Sequence, residues 1–258
     1  MGDSTINGTV YSNKTGVSIQ GSGTALIKGD AYAAGSITSP RPTVTGTQYP
    51  NASPVPLPTV DYQYWKTQAN GGNDPVTCPA GSCTTCAPTC NITTTTIGPQ
   101  KYVGNVSFSN SAPITMNGPV YVTGNVSLFQ SARITLNNSF GSNGTVFIAD
   151  GTFSIIDNAL LLPTSANPKG YIMVVTTSTS NQAITVGNQG VSAIFYALDG
   201  GVDIQNNTQV TALVAKQLTM SNNGSLTYDQ GLANASFSGG PGGSWQFKKG
   251  TYRFTNSP

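Results

Sequence analysis

Four cysteines within thirteen residues, Cys78, Cys83, Cys86 and Cys90 in CPAGSCTTCAPTC, form the densest reactive group in the chain. Their C-x4-C-x2-C spacing matches one iron–sulfur arrangement, and four thiolates also suit zinc. Two disulfides that staple a Pro/Thr-rich loop with no core of its own are the favoured reading. Four cysteines allow three pairings, and spacing does not choose among them. The acids come next. Asp150, Asp157 and Asp203, with Asp199 near the last, lie at or beside turn-like stretches. Gathered, they would make a Ca²⁺ site with backbone oxygens, or an Asp pair for glycoside hydrolysis. Apart, they are corner residues that bond their own backbone, which is the favoured reading.

The absences narrow the chemistry further. The chain has no His, and all nine of its acids are Asp. Most acid–base chemistry near neutral pH uses a tunable His or a Glu of raised pKa. Losing both removes His-containing triads, most zinc sites and the usual glutamate pairs. No enzyme activity and no cofactor are expected. Arg133 and Lys169 are the basic residues that a polysaccharide-degrading site would use. Trp65, Trp245 and Tyr252 are the aromatic residues that could stack on a sugar. Lys216 shares the parity of Val210, Ala212 and Val214, yet a lysine reaching solvent from a corner is the simpler expectation. With 8% charged residues and a net charge of +2, the chain offers no basic surface for nucleic acid.

What must position these residues is a repeated phrase: apolar, Ser/Thr/Asp, apolar, any residue, then two small polar residues dominated by Asn. It reads VSFSNS at 106–111, VSLFQS at 126–131, FSIIDN at 153–158, ITVGNQ at 184–189, VDIQNN at 202–207 and LTMSNN at 218–223. The copies recur every 16 to 31 residues, and the segments 105–124 and 125–144 match at 9 of 20 positions. Apolar residues at i and i+2 face one side of a strand, and the residue between them faces the other. Asn tolerates the left-handed backbone angles of a corner and can stack in ladders between coils. A short strand and an Asn corner repeated in this way predict an all-β chain, a right-handed parallel β-helix (β-solenoid).

Four segments are expected. Residues 1–39 carry small coils with Ile19, Ala25, Ala31 and Ile37 at a six-residue step. Residues 40–97 hold a Pro-rich strap, a short helix capped by Asp61 and the cysteine loop. Residues 98–237 form the main β-helix. Residues 238–258 form a Gly-rich link and an aromatic hairpin, with Trp245 and Phe247 facing Tyr252 and Phe254 across Lys248–Lys249, closing the last coil as a cap. No run of 18 apolar residues and no signal peptide is found.

The segments GTVYSN (8–13), GDAYAAGSI (29–37), DYQYWKTQA (61–69), GPVYVTGNVSL (118–128) and GLANASFSGGPGGSW (231–245) resemble the ectodomains of prepilin-like, type IV pilus-associated bacterial surface proteins. The resemblance implies an exported protein held to the membrane only through an N-terminal hydrophobic prepilin helix, which these residues do not include. It supplies no catalytic residues.

The expectation is therefore a non-enzymatic extracellular protein at the bacterial cell surface, an adhesin or structural subunit. Its partners would be a surface glycan or other pilus subunits, bound by rows of Thr, Ser and Asn through many weak contacts in register. The alternatives are a β-helix polysaccharide-degrading enzyme and a self-polymerising scaffold like the bactofilins.

Overall fold

The repeated phrase becomes three files of short parallel strands. In the computed structural model the described residues are 4–13, 16–18, 25–38, 44–57, 59–79, 81, 83–109, 112–188, 190–227, 236–237 and 245–246. Every pairing among their strands is parallel, except that of Ser236–Phe237 with Trp245–Gln246. The first file runs through Val120–Val122, Thr145–Ala149 and Ile172–Thr176. The second runs through Val126–Leu128, Phe153–Ile155 and Ile184–Gly187. The long strands Gln100–Phe108, Gly190–Gln205 and Gln209–Met220 cross both files. A third file holds Thr96–Ile97, Pro113–Met116, Arg133–Leu136 and Leu160–Leu162. The all-β expectation holds, with a large parallel sheet as its main element.

Register explains the phrase. Val106, Val126, Phe153, Ile184 and Val202 stand in one row, and Phe108, Leu128, Ile155, Val186 and Ile204 in another. All are buried, and they form the core with the inward residues of the other files. Phe108, Phe147 and Phe153 meet edge to face at 6.1 and 4.9 Å, contacts worth about 0.5–1.5 kcal/mol each beyond area burial. The corner that follows the second file turns on left-handed residues. Gln130–Ser131, Asp157–Asn158, Asn188, Asn206–Asn207 and Asn222–Asn223 all have positive φ. Asn tolerates this region best of the non-glycine residues, and the amides of Asn222 and Asn223 donate to Asn206 and Asn207 at 3.0 and 2.9 Å. Between the first and second files the corner is a stack of Gly104, Gly124 and Gly151. A Cβ on Gly124 would meet the Gly104 carbonyl oxygen at 2.6 Å, so the levels approach only without side chains.

Three features depart from the sequence reading. The cysteine segment is not an appended loop: Cys83–Asn91 pairs with Gln100–Phe108, so the stack begins before residue 98. The pairing slips opposite Gly104, where Cys83–Asn91 carries extra residues between Thr85 and Thr89. Cys86 bridges to Cys90 across that bulge, with Cα atoms 4.9 Å apart, and Cys78 bridges to Cys83 at 5.6 Å. Second, the N-terminal strands do not precede the first level. Thr5–Asn7 pairs with Ser225–Thr227 on one side and Leu26–Ile27 on the other, so the start of the chain continues the far end of the stack. That edge is the one the C-terminal hairpin was expected to close, and it is already paired. Of the hairpin, Trp245–Gln246 pairs back to Ser236–Phe237, while the expected return strand with Tyr252 lies outside the described residues.

Third, the six-residue step in the N-terminal segment does not select the core. Ile27, Ala31 and Ala33 are the buried residues, while Ala25 and Ile37 are only partly covered and Ile19 lies outside the described residues. Paired strands there lie 21 residues apart (Thr5 with Leu26, Val10 with Ala31) or 17 (Ala31 with Gln48), not six.

The Pro-rich segment returns the chain to the near end of the stack. Asn13 holds it by donating to the Val55 carbonyl (2.6 Å) and accepting from the Val55 amide (2.9 Å). The helix Tyr62–Ala69 follows, and Asp61 caps it by accepting from the Tyr64 amide at 2.9 Å. It packs on Val120–Val122, Thr145–Ala149 and Gln100–Phe108.

Candidate functional site

The outward rows of the first two files differ completely. In the first file Lys101, Tyr121, Ile148, Val175 and Tyr196 stand in register and point away from the core. In a strand this position ordinarily faces water. Here the row is apolar and aromatic, and the strap helix buries it under Trp65 and Ala69, with Val60, Tyr62 and Tyr64 partly covered at its margin.

A polar knot lies under that cover. Lys66 on the helix pairs with Asp150 at 2.5 Å, and Asp150 also accepts from Tyr121 Oη (2.6 Å) and Thr177 Oγ1 (3.0 Å). The Lys66 ammonium sits 4.8 Å from the centre of the Tyr121 ring. Lys101 is 2% exposed and donates to the carbonyls of Pro75 (2.7 Å) and Thr77 (2.6 Å). The fully buried Asn70 shares the Thr77 carbonyl, its amide donating there and to the neighbouring Asp74 carbonyl. Burial pushes the Lys101 pKa down, against the pull of Asp74 and Asp150. Burial also pushes the Tyr121 and Tyr196 phenols up, and at Tyr121 the Asp150 carboxylate adds to it. Every group here has a partner inside the protein, so the knot fastens the helix to the sheet.

The second file presents the opposite surface. Ser107, Ser127, Ser154, Thr185, Asp203 and Thr219 are in register, preceded by Asn91. At about 4.8 Å per strand the row runs about 24 Å from Ser107 to Thr219. Ser107 and Asp203 are buried, Ser127, Ser154 and Thr185 are half-buried, and Asn91 and Thr219 are exposed. Ser107 donates to Asn91. No helix or strap covers this row among the described residues. A line of mostly hydroxyl side chains in register offers donors and acceptors at a fixed repeat.

Asp203 is the exception in the row. It is 5% exposed, and its Oδ2 accepts from the side-chain amides of Gln182 (3.1 Å) and Gln205. Its Oδ1 is buried with no hydrogen-bond donor.

The sequence-predicted residues therefore fall in separate places. Asp150 belongs to the corner after the first file, Asp157 is exposed at a left-handed corner after the second, and Asp203 stands within the second. They do not assemble, and among the described residues no three acids or cysteines gather as metal ligands. Trp65 is 9% exposed and spends its ring on the covered face, meeting Tyr64 edge-on at 5.4 Å, so it is not available to stack on a sugar. The backbone of Trp245 lies in the antiparallel pair, and Tyr252 lies outside the described residues. Lys216, Arg133 and Lys169 are exposed, as is Asp199.

One group went unnoticed in the sequence. Tyr11, Tyr32 and Tyr49 stack face to face, with centroids 4.9 and 4.4 Å apart and planes within 10°. The three motifs VYS, AYA and QYP carried the signal, each placing Tyr at the centre of a paired triplet.

Residues 102–235 match the model of a domain of unknown function, DUF7305, and this match covers half of the chain, which belongs to that family. No curated protein and no solved structure matches the chain.

Proposed function

We propose that this member of the DUF7305 family is a right-handed parallel β-helix displayed at the bacterial cell surface. It acts there as a non-enzymatic, pilus-associated adhesin or structural subunit whose partner is a surface glycan or another subunit. The observation that carries this reading is the hydroxyl-rich outward row from Ser107 to Thr219, with Ser127, Ser154 and Thr185 partly exposed and Thr219 exposed, in register beside an outward row that is sealed. Hydroxyls at a fixed repeat suit a polymer that is itself periodic and hydroxylated, and each weak contact adds to the next through avidity. The two cysteine pairs fit an oxidising exterior. The resemblance to prepilin-like ectodomains supplies the link to pili and the route of export. A scaffold that polymerises end to end is the rival within the same class.

Retention of the purified chain on insoluble polysaccharides and on isolated cell-wall sacculi tests the adhesin reading. Binding to at least one of these is expected, lost when Ser127→Arg and Ser154→Arg are combined, because the bulky charges break the row without touching the core. Equal binding by that double variant, or release of soluble sugar ends by the native chain, overturns it. Antibody labelling of intact cells tests the location.

A further inference from the structure

We infer that Asp203 and the two glutamines lying over it form a weak binding site for a hard divalent cation, with Ca²⁺ as the natural occupant. The inference starts from charge. Asp203 is 5% exposed, yet the ion pair among the described residues, Lys66–Asp150, lies on the other face and leaves Asp203 without a basic partner. Both donors to the Asp203 carboxylate are neutral amides, from Gln182 and Gln205, and both go to Oδ2. Oδ1 is buried with no donor at all. A buried carboxylate oxygen left unpaired carries the full desolvation penalty, so a compensating positive charge at Oδ1 is strongly favoured.

The surroundings select the kind of cation. The side chains placed beside the carboxylate by hydrogen bond or register are amides and hydroxyls. Thr185 and Thr219 stand on either side of Asp203 in the ladder. Gln182 comes from the loop that precedes Ile184, and this loop presses its carbonyls on the strand that carries Asp203. A Cβ on Gly200 would meet the Ser178 oxygen at 2.4 Å, and the Gly201 amide donates to the Ser180 carbonyl at 2.8 Å. Gln182 is exposed and Gln205 half-buried, and a half-turn of either amide, giving up its hydrogen bond to Oδ2, presents Oε1 in place of Nε2. The set then reads as one carboxylate, two amide oxygens, a threonine hydroxyl and water, the oxygen-only sphere of Ca²⁺. A single carboxylate places the affinity at about 10⁻⁴–10⁻³ M, the range of extracellular modules. The biological weight of that affinity rests on the proposed location outside the cell; the binding itself does not, and it is read without any glycan.

Equilibrium dialysis of the intact chain against Ca²⁺, with thermal unfolding at neutral pH, tests the site. One bound Ca²⁺ is expected, with a rise in Tm of about 2–5 °C at about 10 mM Ca²⁺ that matched ionic strength from NaCl does not reproduce. Asp203→Asn keeps the shape, removes the charge and should abolish both signals. Gln182→Leu, at an exposed position that leaves the core intact, should weaken binding several-fold. No bound Ca²⁺ in the native chain overturns the inference and indicates that a proton or water satisfies Oδ1. Unchanged binding in Asp203→Asn, or in Gln182→Leu should Asp203→Asn fail to fold, overturns it equally.

Discussion

Two outward rows of one stack have opposite fates. Lys101, Tyr121, Ile148, Val175 and Tyr196 occupy the same structural position in the first file that Ser107, Ser127, Ser154 and Thr185 occupy in the second. Each alternates with core residues and each points away from them. Beyond Lys101 the first row is large and apolar or aromatic, so it recruits a helix and disappears from the surface. The second is small and hydroxylated, so water suffices and it stays open. Alternation decides which residues leave the core, and chemistry alone decides whether they meet solvent.

The comparison breaks most severely at Trp65. Trp65→Ala should cost about 3–5 kcal/mol and loosen the strap helix, seen as a lower denaturant midpoint and early loss of helix protection in hydrogen exchange. An unchanged midpoint would mean that the apolar row does not need its cover. Asp150→Ala comes next. It strands the Lys66 ammonium, the Tyr121 hydroxyl and the Thr177 hydroxyl, at about 1–3 kcal/mol by equilibrium unfolding, a figure held down by the partial exposure of Asp150.

The covered row should also answer to alkali. The phenol pKa values of Tyr62, Tyr121 and Tyr196 are raised from the ordinary 10.0, chiefly by burial. Above that value the unfolded chain sheds phenol protons that the folded chain keeps, so stability is complete below pH 10 and falls as pH rises further. Lys101 works oppositely: its lowered pKa means that stability is gained as pH rises toward the unfolded value of 10.5. Unfolding midpoints between about pH 9 and about pH 11 should therefore fall in the upper part of the range, and fall less in Tyr121→Phe. The smallest effect belongs to the open row. Ser127→Ala and Ser154→Ala should each stay within about 0.5 kcal/mol of the native chain, since both sit half-buried on the outward side, away from the core. A larger loss would show that the hydroxyl row holds the stack together.

Much of this was legible because it is local. The phrase at 126–131 states its own strand, its inward pair Val126 and Leu128, and the left-handed corner Gln130–Ser131. Asp61 as helix cap is equally local. Lys101 was not legible. QKYVG places a lysine outward, where solvent is the default, and its burial depends on carbonyls at Pro75 and Thr77 brought in by the returning strap. The scatter of Asp150, Asp157 and Asp203 was hidden for a related reason, since the phrase does not say which edge of a coil each corner occupies. The buried, unpaired Oδ1 of Asp203 was hidden too, since the side chains 2 and 21 residues away that donate to Oδ2 alone have orientations no pattern encodes. Pairing of residue 5 with residue 225 is the extreme case, for no periodicity reports the order in which strands are paired.

That last pairing has a consequence in time. A ribosome delivers Thr5–Asn7 about 220 residues ahead of their partner Ser225–Thr227. At about 5–20 residues per second, the N-terminal coils wait on the order of ten to forty seconds with one strand edge unmatched. Their brevity, three residues per strand, and the prolines that follow make that edge a poor template for a wrong neighbour during the wait.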